Sequence, residues 1–161
     1  FMSNLSNVKR NAYSGNLGHY KNGKSFQVTE YIKELYWLEK VLRFQELAVD
    51  SEKDSYEQIK NSHVSDERKE MAKVAYGTAV ESYNQKRLEI IQMKQDIAEL
   101  IKQVKDIRYQ TVLRLRIVDR KSNSSVAVAL HYSTGAICSM YRQALEQLEK
   151  EYLKSLNSEK C

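Results

Sequence analysis

None of the 161 residues is proline. Proline removes a backbone donor and clashes with the preceding helical turn, so a chain without it is open to long, uninterrupted helices. The apolar pattern points the same way. Val28, Leu35, Leu42, Val49 and Tyr56 recur every seven residues, with Tyr31, Leu38 and Ile59 on a companion row. Such a repeat is the stripe along which helices pair. Gln45 and Glu52 interrupt the companion row. The seam therefore weakens midway, and Asp50-Ser51 is where this helix is expected to bend or break. A second run carries Tyr76, Tyr83, Ile90, Ile97 and Val104, with Ala79, Met93, Leu100 and Ile107 beside them and Lys86 as the polar exception.

Between the runs lie only Asn61-Ser62-His63-Val64-Ser65. A connection that short makes neighbouring helices antiparallel, and Ser65 followed by Asp66 and Glu67 supplies an N-cap and acids for the positive helix end. The expectation is an all-α protein: a long antiparallel, coiled-coil-like helical hairpin followed by a C-terminal helix-turn-helix. Val28 to Ile59 would span roughly 48 Å at about 1.5 Å per residue. A two-helix hairpin of that length buries little apolar surface, so homo-oligomerisation or docking of a partner is expected. Trp37, the one tryptophan, lies beside the seam and is expected to pack, with a partner-binding anchor as the alternative.

Charge divides the chain into the same parts. Residues 1–29 carry four basic residues and no acid; 30–104 carry twelve basic and fifteen acidic residues, a net of −3. Residues 105–145 hold Lys105, Arg108, Arg114, Arg116, Arg120, Lys121 and Arg142 against Asp106 and Asp119, a net of +5. The organisation read from this is a flexible basic arm over 1–27, the hairpin over 28–104, and a basic C-terminal module over 105–156. The whole chain carries +5, with a pI near 9.1, which admits an anionic partner.

Several classes fall away. Two cysteines, Cys138 and Cys161, make no disulfide framework, so a reducing cytoplasm is the expected setting. The opening FMSNLSNVKRNAYSG has no signal-peptide core, and no apolar stretch suits a membrane helix. His19, His63 and His131 have no cysteine or carboxylate at ligand spacing, and there is neither a glycine-rich phosphate loop nor a nucleophile elbow. No enzyme, metal or cofactor is expected.

Residues 107–156 read as three helical pieces, IRYQTVLRLRIVD, SNSSVAVAL and STGAICSMYRQALEQLEKEYLKSL. Ser122 and Ser133 stand at N-cap positions, and His131-Tyr132 allows only a tight turn. Leu113 and Ile117, then Val126, Ala127 and Leu130, then Ile137, Ala144, Leu145 and Leu148 are expected to face inward. This is the layout of a helix-turn-helix.

The stretch YQTVLRLRIVDRKSNSSVAVALHYSTGAICSMYRQAL resembles the C-terminal module of ArpU-like late-gene regulators encoded by phages of low-GC Gram-positive bacteria. That module is itself similar to region 4 of sigma-70 factors. The resemblance rests on Leu113-Arg114-Leu115-Arg116, Ser122, Val126-Ala127, Leu130, Tyr132-Ser133, Ile137 and Ala144-Leu145, and extends through DERKEMA over roughly 30–150. The chain departs from that pattern at Ile117, Ser124-Ser125, His131 and Cys138-Ser139. The resemblance implies a sequence-specific transcriptional regulator of a phage or mobile element, acting on double-stranded DNA in a bacterial host's cytoplasm, with RNA polymerase as an open second partner. A recognition helix docks by its N-terminal turns. Ser133, Thr134, Gly135, Cys138, Ser139 and Arg142 are then the candidate DNA-facing set, with Arg142 suited to a bidentate contact with guanine and Arg114, Arg116, Arg120 and Lys121 suited to phosphates. A small terminase subunit, which recognises phage DNA for packaging, and a helical adaptor that does not bind DNA are the two rival readings.

Overall fold

A computed structural model describes residues 27–158. The protein is all-α, with no strand among the described residues. Its elements are α1 (Gln27–Lys60), α2 (Asp66–Ile101), α3 (Ile107–Leu113), which runs on into a π-helical turn (Arg114–Val118), α4 (Asn123–Leu130) and α5 (Thr134–Ser158). The expected basic arm lies outside the described residues except for Gln27, which opens α1. No helix described is long and apolar enough to cross a membrane. Of the two outcomes expected at Asp50-Ser51 the break does not occur: α1 runs as one helix through it. A serine and an aspartate mid-helix cost only a few tenths of a kcal/mol each, about half of what a glycine costs, and the seam on either side carries the helix across.

The chain divides into two compact units, Glu34–Met93 and the remainder. In the first, Leu35, Leu38, Ile90 and Met93 are buried. The seam positions from Leu42 to Ile59 and from Tyr76 to Lys86 are half-buried. The two helices meet at named points: Tyr56 and Tyr76 stack with ring centroids 6.0 Å apart, and the Gln45 amide donates to Ser82 Oγ at 3.1 Å. Gln45 thus has a use on the seam. The connection is closed as expected, Ser65 Oγ accepting from the Arg68 N–H at 3.4 Å, while Ser62 Oγ donates to the Ile59 carbonyl at 2.7 Å. Lys86, the polar exception, pairs with Glu89 at 2.7 Å. Partial burial, reinforced by the nearby Glu89 carboxylate and opposed by Lys86, raises the pKa of Glu34. Trp37 overturns its expected packing role: it is 56% exposed, with Phe44 at 72% and Leu47 at 65% on the same outer side of α1.

The second unit takes the first turns of α1, the end of α2 and everything after it. Val28, Tyr31, Ile97, Leu100, Ile101 and Val104 are buried there, together with Leu113, Ile117, Ala144, Leu148 and Tyr152. The start of α1 is held by a carboxylate from α5. Glu149 is buried and accepts from the Gln27 N–H at 3.0 Å and the Val28 N–H at 2.8 Å. Those N–H groups lack helical acceptors and sit at the positive end of the dipole, so an anion satisfies both needs. Ile107, placed on the seam from sequence, is instead 68% exposed. α2 stops at Ile101 and Asp106 opens a new helix, its side chain accepting from the Arg108 N–H, which takes Ile107 out of register. Gln110 Nε2 donates to the Val104 carbonyl at 2.6 Å and closes the connection.

Candidate nucleic-acid interface

The basic stretch begins with a clamp. Arg108 meets Asp106 through Nη2 at 2.7 Å and Nε at 3.1 Å. These hydrogen bonds hold the Asp106 pKa down to about 2 and raise that of Arg108. Two of the segment's charges are thereby spent on each other. At Arg114 the helix widens into the π turn, with the Asp119 N–H bonding the Arg114 carbonyl five residues back at 3.0 Å. The sequence reads as one continuous helix here, and its arginines are placed by a turn that no propensity forecasts. Leu113 and Ile117 are nonetheless both buried, as expected. Two residues past the turn Arg120 takes a left-handed φ of 57°, and the Lys121 N–H reaches back to the Leu115 carbonyl at 2.9 Å.

Two serines then start two helices. Ser122 Oγ accepts from the Ser125 N–H at 3.1 Å at the head of α4, and Ser133 Oγ accepts from the Ala136 N–H at 3.1 Å at the head of α5. Between them His131 sits at φ 59°, ψ 40°, while its N–H and that of Tyr132 bond the carbonyls of Val128 and Ala127. This is a Schellman closure with histidine at the left-handed position that glycine usually fills. Val112, Val126, Ala127 and Ile137 form one buried cluster of the unit, with Leu115, Leu130, Met140 and Tyr141 packed against it.

With Ile137 and Ala144 buried, the side of α5 turned away from them carries Gly135, Cys138, Ser139 and Arg142, all exposed, and Thr134 is exposed at the helix start. Ser133, also exposed, is committed to its cap. Gly135 has no atom within 4 Å of where a Cβ would stand, so the chain itself has room for a side chain there. Cys138 Sγ accepts from Asn123 Nδ2 at 3.1 Å, which ties the first residue of α4 to the exposed side of α5. Of the basic candidates, Arg114, Arg120, Lys121 and Arg142 are exposed. Arg116 is half-buried, its guanidinium 5.1 Å over the Tyr141 ring and donating through Nη1 to the Lys121 carbonyl. It braces the loop into α4.

Sequence reasoning missed Asn123, Tyr141 and the Tyr109 hydroxyl, which donates to Gln143 Oε1 at 2.7 Å between α3 and α5. Tyr141 had a signal, since it follows Ile137 by one turn on the packed side. The other two had none. Val128 was also missed: it is 78% exposed on α4, and Tyr132 beside the turn is 44% exposed.

A family model described as a protein of unknown function, DUF1492, matches residues 49–149. The chain belongs to that family. The DUF1492 match runs from mid-α1 to the Glu149 that caps α1, and so contains every candidate residue of the interface. Comparison with curated proteins and with solved structures finds no match.

Proposed function

We propose that this DUF1492 protein is a sequence-specific, duplex-DNA-binding transcriptional regulator of a phage or mobile element. In this reading α4, the His131 turn and α5 are a helix-turn-helix, α5 is its recognition helix, and α1 with α2 is the antiparallel hairpin through which copies associate. One observation carries the proposal. The first two turns of α5 present an unbroken small and polar face, ending in Arg142, directly opposite a face buried in the core. Any surface helix shows water a polar side, but this one is built of small residues, including a glycine that costs helix stability, and insertion into a major groove needs small residues near the bases and a long donor at the edge.

The electrostatics support the same reading. Arg114, Lys121 and Arg142 are exposed and form no ion pair among the described residues, which leaves them available to phosphates or bases. Arg116, by contrast, acts on DNA through the loop that it holds. The resemblance to ArpU-like regulators agrees, and it leaves RNA polymerase open as a second partner.

The test is selection of fragments from the source genome by the purified protein. Recovery of a discrete site upstream of an operon, with a reporter that responds to the protein, is the expected result. Recovery of random fragments, or a silent reporter, overturns it. Ring-forming copies that bind a packaging site would point to a small terminase subunit, and absence of DNA affinity at low salt would point to an adaptor.

A further inference from the structure

We propose that the outer face of α1 is the contact between two copies of this chain, packed antiparallel about a two-fold axis between Phe44 and Leu47. The seam faces α2, yet α1 carries a second stripe of alternating three- and four-residue spacing on its far side: Trp37, Lys40, Phe44, Leu47, Ser51 and Asp54. Its three large apolar members are 56%, 72% and 65% exposed. Scattered apolar residues on a surface need no explanation, but three in line on one helix do.

Charge identifies what covers them. Towards the N-terminus the flank is basic, with exposed Lys40 and Arg43; towards the C-terminus it is acidic, with exposed Asp50 and Asp54. None of the four forms an ion pair within the described chain. A helix that is basic, then apolar, then acidic is complementary to itself when reversed. Two-fold symmetry makes every contact occur twice. Phe44 of each copy then packs on Leu47 of the other, Lys40 of each comes within a turn of Asp50 and Asp54 of the other, Arg43 within a turn of Asp50, and Trp37 lies over the far end of the stripe. A parallel arrangement would instead stack like charges. The inference stands independently of DNA binding.

The experiment is the solution mass of the full-length protein, measured by sedimentation across micromolar concentrations, with helicity followed by circular dichroism. Wild type is expected as a dimer. Phe44→Glu with Leu47→Glu is expected as a monomer of unchanged helicity. Two charge-reversal variants guard against misfolding: Lys40→Glu with Arg43→Glu, and Asp50→Lys with Asp54→Lys. Each alone is expected to weaken self-association about ten-fold, and an equimolar mixture to recover it, since small exposed pairs add over both halves of the symmetry. A monomeric wild type, a Phe44→Glu/Leu47→Glu variant that stays dimeric, or a mixture no stronger than its components overturns the proposal.

Discussion

At the scale of single residues, two side chains separate structural from functional demand. Glu149 is one of two buried charged or polar residues among those described, and it caps two N–H groups of α1. Glu149→Ala leaves a buried donor at Val28 unsatisfied, so we expect a loss of about 2–3 kcal/mol in chemical denaturation, with DNA affinity per folded molecule unchanged. Gly135 is the reverse case. Glycine in a helix costs about 0.5–1 kcal/mol relative to alanine, and nothing in the chain crowds the position. Gly135→Ala should therefore stabilise the fold slightly and, if α5 enters a groove as proposed, lower DNA affinity, because a methyl group there would stand between helix and bases. Equal or better binding would remove Gly135 from the interface. Neither behaviour follows from sequence alone. Ser65, Ser122 and Ser133 were legible as caps because a cap is a local bond, whereas Glu149 bonds to a residue 121 positions away.

At the scale of elements, periodicity was readable and phase breaks were not. Leu38 and Ile90 lie on the heptad rows and are 3% and 5% exposed. Leu38→Asp and Ile90→Asp are each expected to cost several kcal/mol, with a large loss of helicity, because a buried carboxylate there has no partner. Unchanged melting for both would refute the seam. Glu34 tests the same unit by pH. Its carboxyl is raised above the ordinary value of 4.5, so the folded state holds its proton longer than the unfolded state. That contribution is present below pH 4.5 and is lost as pH rises through the folded value. Glu34→Gln should accordingly melt higher than wild type at neutral pH and match it in acid, and a constant difference across pH would contradict the cause given. The heptads also foretold Val104 and failed at Ile107, since Asp106 starts a helix that the seven-residue count runs straight through. The π turn at Arg114–Val118 was illegible for a related reason: widening by one residue keeps Leu113 and Ile117 buried, so the apolar pattern survives while the helix type changes. Trp37 failed differently, because an aromatic beside a seam reads as core although the side of α1 that carries it is exposed.

For the whole molecule, the proposed regulator stands or falls on whether α5 recognises sequence. The decisive measurement is affinity for a selected duplex and for a scrambled one across a salt series, in wild type, Lys121→Ala and Arg142→Ala. Each phosphate neutralised contributes roughly 0.9 to the slope of log affinity against log salt. Lys121→Ala should weaken both duplexes equally and reduce the slope by about one. Arg142→Ala should weaken the selected duplex by about 1–3 kcal/mol more than the scrambled one, as loss of a base contact does. If Arg142→Ala costs the same on both duplexes, and wild type never prefers the selected one, α5 does not read DNA and the account is wrong.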